Sequence, residues 1–237
     1  MSEAAPWQVV RASVGRTALG VGVATGAYGL SFGALGTASG LSVAQTCALS
    51  VLMFTGGSQF ALIGVIGGGG NPLSGAMSAV LLGTRNALYG ARLAPLLGLR
   101  GLRRVLGAQL VIDESTAVAL ANEQEGVRPG RLGFWATGLS VFVLWNLATL
   151  VGAVAGQAIG DPRDLGLDAA IPAAFLALLA PRLRDRSSWL MALGAGAVAL
   201  VVVPFVPAGV PVLVAAVFAV LVASATRAAG RGEAGVP

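Results

Sequence analysis

Three long stretches of this chain contain no Asp, Glu, Lys or Arg: residues 17–84, 132–160 and 187–226. A helix that spans a bilayer needs roughly 20 apolar residues, so each stretch can hold at least one span. A soluble helix would show a polar face at helical period, and a barrel strand would alternate polar with apolar residues. Neither pattern is present. The sequence therefore predicts an all-α, polytopic helical membrane protein surrounded by lipid.

Composition supports the same fold class. Only 11% of the 237 residues are charged and 56% are apolar, whereas a soluble domain has about a quarter charged residues. The net charge of +5 comes from arginines that flank the apolar stretches, where they act as topology signals rather than as a nucleic-acid surface. Nothing indicates a second domain or an internal sequence repeat. We expect one transmembrane domain over residues 1–237 and no nucleic-acid partner.

The apolar pattern predicts seven or eight transmembrane helices. Eight candidate spans lie at about 15–38, 42–67, 73–98, 105–122, within 132–160, and at 165–181, 188–206 and 209–226. Eight crossings with both termini in the cytoplasm would place nine arginines on the cytoplasmic side, namely Arg11, Arg16, Arg128, Arg131, Arg182, Arg184, Arg186, Arg227 and Arg231.

Two basic segments disagree with that simple topology. Arg100, Arg103 and Arg104 would lie outside, as would Arg163 in the loop at 161–168. A re-entrant apolar segment would remove the first conflict, so the count stays at seven or eight.

Glycines mark two places in the first half of the chain. The first span has Gly22, Gly26, Gly29, Gly33, Gly36 and Gly40 at three- and four-residue spacings. Such a face allows another helix to approach closely, and it can also line a substrate path. The second span is interrupted by Gly56, Gly57, Ser58 and Gln59. The paired glycines predict a helix broken at mid-membrane, with a plain kink as the alternative.

Charged residues inside candidate spans are the strongest functional signal, because each costs at least ~2.5–3.5 kcal/mol at the bilayer centre. Arg85 and Arg92 share a face of the third span with Tyr89, and Asp113 and Glu114 lie in the fourth. The two acids are neighbours and point about 100° apart on a helix. One can pair with an arginine while the other lines a path. A static ion pair with an interfacial acid is the alternative to substrate binding or proton coupling.

Several classes of chemistry are excluded by missing residues. The chain has no His, a single Cys47 and no Lys. A His/Cys zinc site, a Ser-His or Cys-His dyad and a P-loop lysine are therefore impossible. An aspartyl pair from two helices is also missing, since the mid-span acids are neighbours. We expect no enzyme, no cofactor and no metal site.

Five blocks of the sequence resemble the AzlC family, the azaleucine-resistance or branched-chain amino acid permease family. They are residues 28–33 (YGLSFG), 54–60 (FTGGSQF), 85–90 (RNALYG), 113–115 (DES) and 166–175 (GLDAAIPAAF). The blocks extend over most of the chain in the expected order. The resemblance carries Ser58, Gln59 and Arg85 onto the family's break and arginine block, and Asp113 and Glu114 onto its acidic pair.

The resemblance implies an exporter of branched-chain amino acids in the bacterial inner membrane. Valine, leucine, isoleucine and sometimes methionine are the implied substrates, a small AzlD-family membrane subunit is the implied partner, and the proton gradient is the implied energy source. Many members have His directly after the arginine, where this chain has Asn86. If that His carries protons elsewhere in the family, coupling here falls to Asp113 or Glu114.

These signals combine into one site hypothesis and one rival. An amino acid would bind near the break at Gly56, Gly57, Ser58 and Gln59, its carboxylate on Arg85 and its ammonium on Asp113 or Glu114, with Asn86 and Tyr89 nearby and its side chain against Phe54 and Phe60. The rival is a scaffold or assembly subunit that does not itself transport, which would also suit the glycine face.

Overall fold

The computed structural model describes residues 7–158, 183–207 and 209–233, together with Leu176, Leu179 and Ala180. The described elements are all helical, which confirms the predicted fold class for this part of the chain. The predicted span at 165–181 falls almost entirely outside the described residues, as does the loop at 161–168. The helices are α1 (Trp7–Ala38), α2 (Val43–Leu52), α3 (Gly56–Gly67), α4 (Pro72–Leu97), α5 (Leu102–Gln109), α6 (Asp113–Glu123), α7 (Val127–Ala158), α8 (Arg186–Val202) and α9 (Val210–Glu233).

The two longest helices, α1 and α7, form the centre of the bundle and run parallel. Gly22 of α1 lies against Ser140 of α7, and Gly33 lies against Thr149. Because residue numbers rise together along both helices, the N-termini share one end of the bundle. A Cβ atom at Gly33 would overlap the backbone of α7, so the predicted glycine face is confirmed as a packing surface.

The second predicted span is a hairpin of two half-length helices. Thr46, near the start of α2, packs against Gly36 of α1, and Gly67, the last residue of α3, packs against Ser39. Both contacts lie at the C-terminal end of α1, so the chain enters and leaves at that end. The turn occupies residues 53–55.

The fourth predicted span is a second hairpin that enters from the opposite end. Arg131 of α7 donates from Nε to the carbonyl of Leu96 at 2.8 Å, which places the end of α4 beside the N-terminal end of α7. Helix α5 begins at this end and runs toward the middle of the bundle. Glu123, the last residue of α6, packs against Gly130 of α7 and so returns to the same end.

The turns of the two hairpins meet halfway along α7. Phe54, in the first turn, packs edge to face on Phe142 with 4.9 Å between ring centroids. Leu110, in the second turn, lies against Gly138. Each half-helix of 8 to 12 residues is roughly 12–18 Å long, about half of a hydrocarbon core of roughly 30 Å. The hairpins are therefore long enough to meet at mid-bilayer.

These hairpins make the bundle an inverted repeat. The unit α2–α3–α4 enters from one end and α5–α6–α7 from the other, and in each unit the long helix packs antiparallel to the half-helix before it. Gly75 and Gly83 of α4 contact α3, and Gly130 and Gly138 of α7 contact the second hairpin with the same spacing. The sequence did not reveal this repeat, because the two units share small residues at contact positions rather than a common motif.

Two sequence predictions need correction. The break at Gly56 is confirmed, since α2 ends at Leu52 and α3 begins at Gly56. However, the segments 42–67 and 105–122 do not run from one end of the bundle to the other. The break at residues 110–112 was not predicted, although it has a local cause: Ser115 accepts a hydrogen bond from Ile112 N and donates to Leu110 O, starting a new helix.

The last two described helices form an antiparallel pair. Gly194 of α8 faces Phe218 of α9, and Gly209, directly before α9, lies beside Ser74 of α4. Three described helical segments are long and apolar enough to span a membrane: α1, α7 and Arg186–Phe205, the last comprising α8 and a 3-10 turn. Helix α4 has 26 residues but contains Arg85 and Arg92.

The hairpin topology predicts which residues are accessible from the same side of the membrane. In a Cys47→Ser background, Gly68→Cys and Arg103→Cys should react with an impermeant maleimide from opposite sides. Glu125→Cys should react from the side of Arg103→Cys, because both lie at the end that holds the N-terminus of α7.

Eight straight crossings would produce a different labelling pattern. Gly68→Cys would then share its side with Glu125→Cys, and Arg103→Cys would be opposite. Labelling intact cells and inverted vesicles therefore separates the two topologies.

A matched pair of glycine substitutions tests the α1–α7 contact. Gly33→Ala should destabilise the purified protein by about 1–3 kcal/mol, because its Cβ overlaps the α7 backbone. Gly20→Ala, on the same helix with nothing within 4 Å of its Cβ, should be neutral or slightly stabilising. Thermal unfolding followed by size-exclusion fluorescence measures both, and equal midpoints would contradict the packing.

Candidate functional site

The N-terminus of α3 points its first backbone N–H groups into the middle of the bundle. Thr55 precedes the helix and makes no side-chain cap, and Gly56 and Gly57 add no side chain of their own. Gly57 lies beside the guanidinium of Arg85, where an added Cβ would stand 3.1 Å from Nη2. The glycine therefore lets Arg85 approach the positive end of a helix.

Arg85 also binds the N-terminus of the other hairpin. Its Nη2 lies 3.0 Å from Oδ2 of Asp113, the first residue of α6, and the two side chains are 29% and 28% exposed. A carboxylate in the first turn of a helix is stabilised by the helix dipole. The predicted pairing of one acid with an intramembrane arginine is confirmed, and Asp113 is that acid.

The site thus consists of two half-helix N-termini that converge on one arginine. A guanidinium and two positive helix ends lie around the Asp113 carboxylate at the level of the hairpin turns. Such a group can accept a second anion, because the positive charge is distributed over three elements. It can also exchange the partner of Arg85 between Asp113 and an incoming carboxylate.

Ser58 and Gln59 are used by the fold itself. The hydroxyl of Ser58 donates to the carbonyl of Ala79 at 2.8 Å. The amide of Gln59 donates to Ser50 O at 3.2 Å and to Met53 O at 2.7 Å. Both side chains are fully buried, so they join the two halves of the hairpin and hold α3 on α4.

The remaining predicted residues lie around this centre. Asn86 and Glu114 are half-buried, and the Oδ1 atom of Asn86 is buried with no hydrogen-bond partner among the described residues. Tyr89 lies one turn beyond Arg85 and packs on the apolar core. All three lie on α4 or α6, the two helices that carry Arg85 and Asp113.

The two phenylalanines proposed to receive a side chain are core residues. Phe60 packs on Phe32 with 5.7 Å between ring centroids and on Trp145 at 6.3 Å. Phe54 and Phe60 are both buried. An apolar ligand group could reach them only if the first hairpin moved.

Arg92 has a partner that sequence reasoning missed. Its Nη2 lies 2.6 Å from Oε2 of Glu123, so α4 and α6 are joined by a second ion pair near the end of the bundle. This pair is more exposed than the one at Arg85. Arg85 and Arg92, seven residues apart on α4, therefore pair with α6 at two positions along the contact between the two helices.

Buried polar atoms without a partner are concentrated at the same depth. Among the described residues they include Arg85 Nε and Asn86 Oδ1 on α4, and side-chain atoms at six further positions: Gln59, Thr116, Thr137, Ser140, Trp145 and Asn146. Buried polar groups normally have partners, and such groups in a membrane protein often line a wet cavity. Beside the hairpin turns, these atoms offer hydrogen-bonding positions to a polar ligand. Single polar residues on α7 gave no recognisable signal in the sequence.

A substitution of Gln59 distinguishes a structural role from substrate binding. Gln59→Leu removes the donors to two carbonyls in the bilayer interior and should destabilise the protein by about 1–3 kcal/mol. Gln124→Leu, at an exposed position, is the control. If Gln59 instead binds the substrate, Gln59→Leu should keep wild-type thermal stability and show a raised KM for transport.

Comparison with known proteins adds one finding. The model of the family described as AzlC protein matches residues 20–159, which is more than half of the chain and includes both hairpins, Arg85 and Asp113. No curated protein and no solved structure matches the chain significantly.

Proposed function

We propose that this chain, which belongs to the AzlC family of membrane transport-related proteins, exports branched-chain amino acids. Valine, leucine and isoleucine are the proposed substrates, with methionine as a further one. Export would use the proton gradient of the bacterial inner membrane and a small AzlD-family subunit. The observation that supports this best is the Arg85–Asp113 pair between two opposed half-helix N-termini.

The charge distribution supports a multi-pass orientation with the N-terminus in the cytoplasm. Arg11 and Arg16 lie near the start of α1, Arg128 and Arg131 near the start of α7, and the segment with Arg100, Arg103 and Arg104 at the same end. Of the described residues at the opposite end, the segments 38–42, 67–72 and 203–207 contain no charged residue. The positive-inside rule places the basic end in the cytoplasm. The conflict at Arg100 disappears because both hairpins are re-entrant.

An amino acid fits the site through its two charged groups. Its carboxylate would bind Arg85 and the free N–H groups at Gly56 and Gly57, the positive end of α3. Its ammonium would then take over the carboxylate of Asp113. The substrate thus replaces one ion pair by two, so no buried charge loses its partner when Arg85 and Asp113 separate.

Proton coupling requires an acid that changes charge during the cycle. Asp113 faces Arg85, and Glu114 is its half-buried neighbour on α6. Protonation of either acid would weaken its attraction to Arg85 or to the ammonium group of the substrate. Substrate counterflow needs no net proton movement. A variant that lacks the coupling acid should therefore keep counterflow and lose the transport that is sensitive to an uncoupler.

Variants of the two ion pairs test the site. Arg85→Gln should lower valine export roughly ten- to a hundredfold, because hydrogen bonds to charged groups contribute roughly 1.5–3 kcal/mol each. Asp113→Asn should also lower it. Arg92→Gln and Glu123→Gln, from the exposed pair, should stay within about twofold of the wild type, since they lie away from the hairpin turns.

Export from amino-acid-loaded cells, normalised to protein in the membrane, measures these effects. Normal valine export by both Arg85→Gln and Asp113→Asn would refute the proposed site. Purified protein in liposomes, with and without the small subunit, tests the scaffold alternative. A scaffold gives no counterflow of any amino acid in either preparation.

A further inference from the structure

Helix α2 ends in the middle of the bundle, and its last carbonyl groups need donors there. The last four carbonyls of a helix have no partner within it. For α2 these belong to residues 49–52. Water is scarce at this depth in a bilayer, so each carbonyl must find a donor within the protein.

The two hairpins share this task. Gln59, from the same hairpin as α2, donates to Ser50 O and Met53 O. Gln109, the last residue of α5, donates from Nε2 to Val51 O at 2.7 Å and reaches Leu52 O at 3.5 Å. The first hairpin therefore obtains part of its cap from the second.

This contact lies on the outer surface of the described bundle. The side chains of Val51 and Leu52 are 43% and 77% exposed, and those of Val105 and Leu106 on α5 also point outward. Where lipid tails meet that surface, they cannot donate hydrogen bonds. Among the described residues, Gln109 is the side chain that donates to both carbonyls.

We propose that Gln109 is a positioning residue that ties the turns of the two hairpins together and keeps the space between them closed. The role rests on the proposed function, because the turns flank the Arg85–Asp113 pair that would hold the substrate. With the tie in place, a displacement of α5 pulls the end of α2 with it. Without it, each hairpin turn moves independently and the central site opens.

Reactivity of a thiol at the first turn tests this without any transport assay. Thr55 is half-buried at that turn, so Thr55→Cys in a Cys47→Ser background reports access to the space between the hairpins. Gln109→Leu and Gln109→Met add no charge and cannot donate to Val51 O. Both should raise the rate of modification by an impermeant methanethiosulfonate roughly tenfold, the effect of losing about one hydrogen bond.

Two further variants make the test specific for hydrogen-bond donation. At alkaline pH Gln109→His keeps an uncharged ring N–H donor at similar reach and should react at the wild-type rate. Gln124→Met makes the same chemical change as Gln109→Met at an exposed residue and should also leave the rate unchanged. If Gln109→Leu does not accumulate in the membrane, the comparison of Gln109→Met with Gln109→His decides.

An unchanged rate in Gln109→Met, or a rate in Gln109→His as fast as in Gln109→Met, overturns the proposal. Its failure is distinct from failure of the transport hypothesis. If the Gln109 variants without a donor are labelled fast but the protein transports no amino acid, the role of Gln109 stands and the proposed substrate is wrong. If labelling is unchanged but Arg85→Gln loses export, only the proposed role of Gln109 is wrong.

Discussion

A helix that ends inside a bilayer must have hydrogen-bond partners for its terminal backbone groups, and this requirement organises the bundle. Helix α2 stops halfway, and its carbonyls are satisfied by the amides of Gln59 and Gln109. At the start of α6, Ser115 accepts from the N–H of Ile112, and Asp113 places a carboxylate in the first turn. The start of α3 has neither a side-chain cap nor an acid in its first turn, and Arg85 lies beside it. The N-terminus of α3 is thus suited to an anion.

The long parallel pair α1 and α7 makes these half-helices possible. Glycines along both helices bring the two backbones close, so few side-chain atoms lie between α1 and α7. The hairpins pack on this helix pair and on α4, and the hairpin turns meet halfway along the pair. Since α4 carries Arg85 at that depth, the same packing that seals the hairpins also brings Asp113 to the arginine.

The comparison of sequence with structure is most instructive where it failed. The Gly56 break was predictable because paired glycines lower the cost of ending a helix. The break before Asp113 carried a signal too, two acids and a serine at a helix start, but the apolar residues around it suggested a continuous span. The direction in which α3 and α6 leave each break could not be predicted, because hydropathy is the same for a crossing and a hairpin.

The sequence by itself determined that this is a helical membrane protein of the AzlC type, with Arg85, Asp113 and a glycine break as its unusual features. Those conclusions rest on the cost of charge in lipid, which acts on each residue separately. Only the tertiary structure decided that Arg85 meets Asp113, that Gln59 is a cap, and that Gln109 joins two hairpins. Such contacts depend on where helices reverse, which is set by packing between segments distant in the chain.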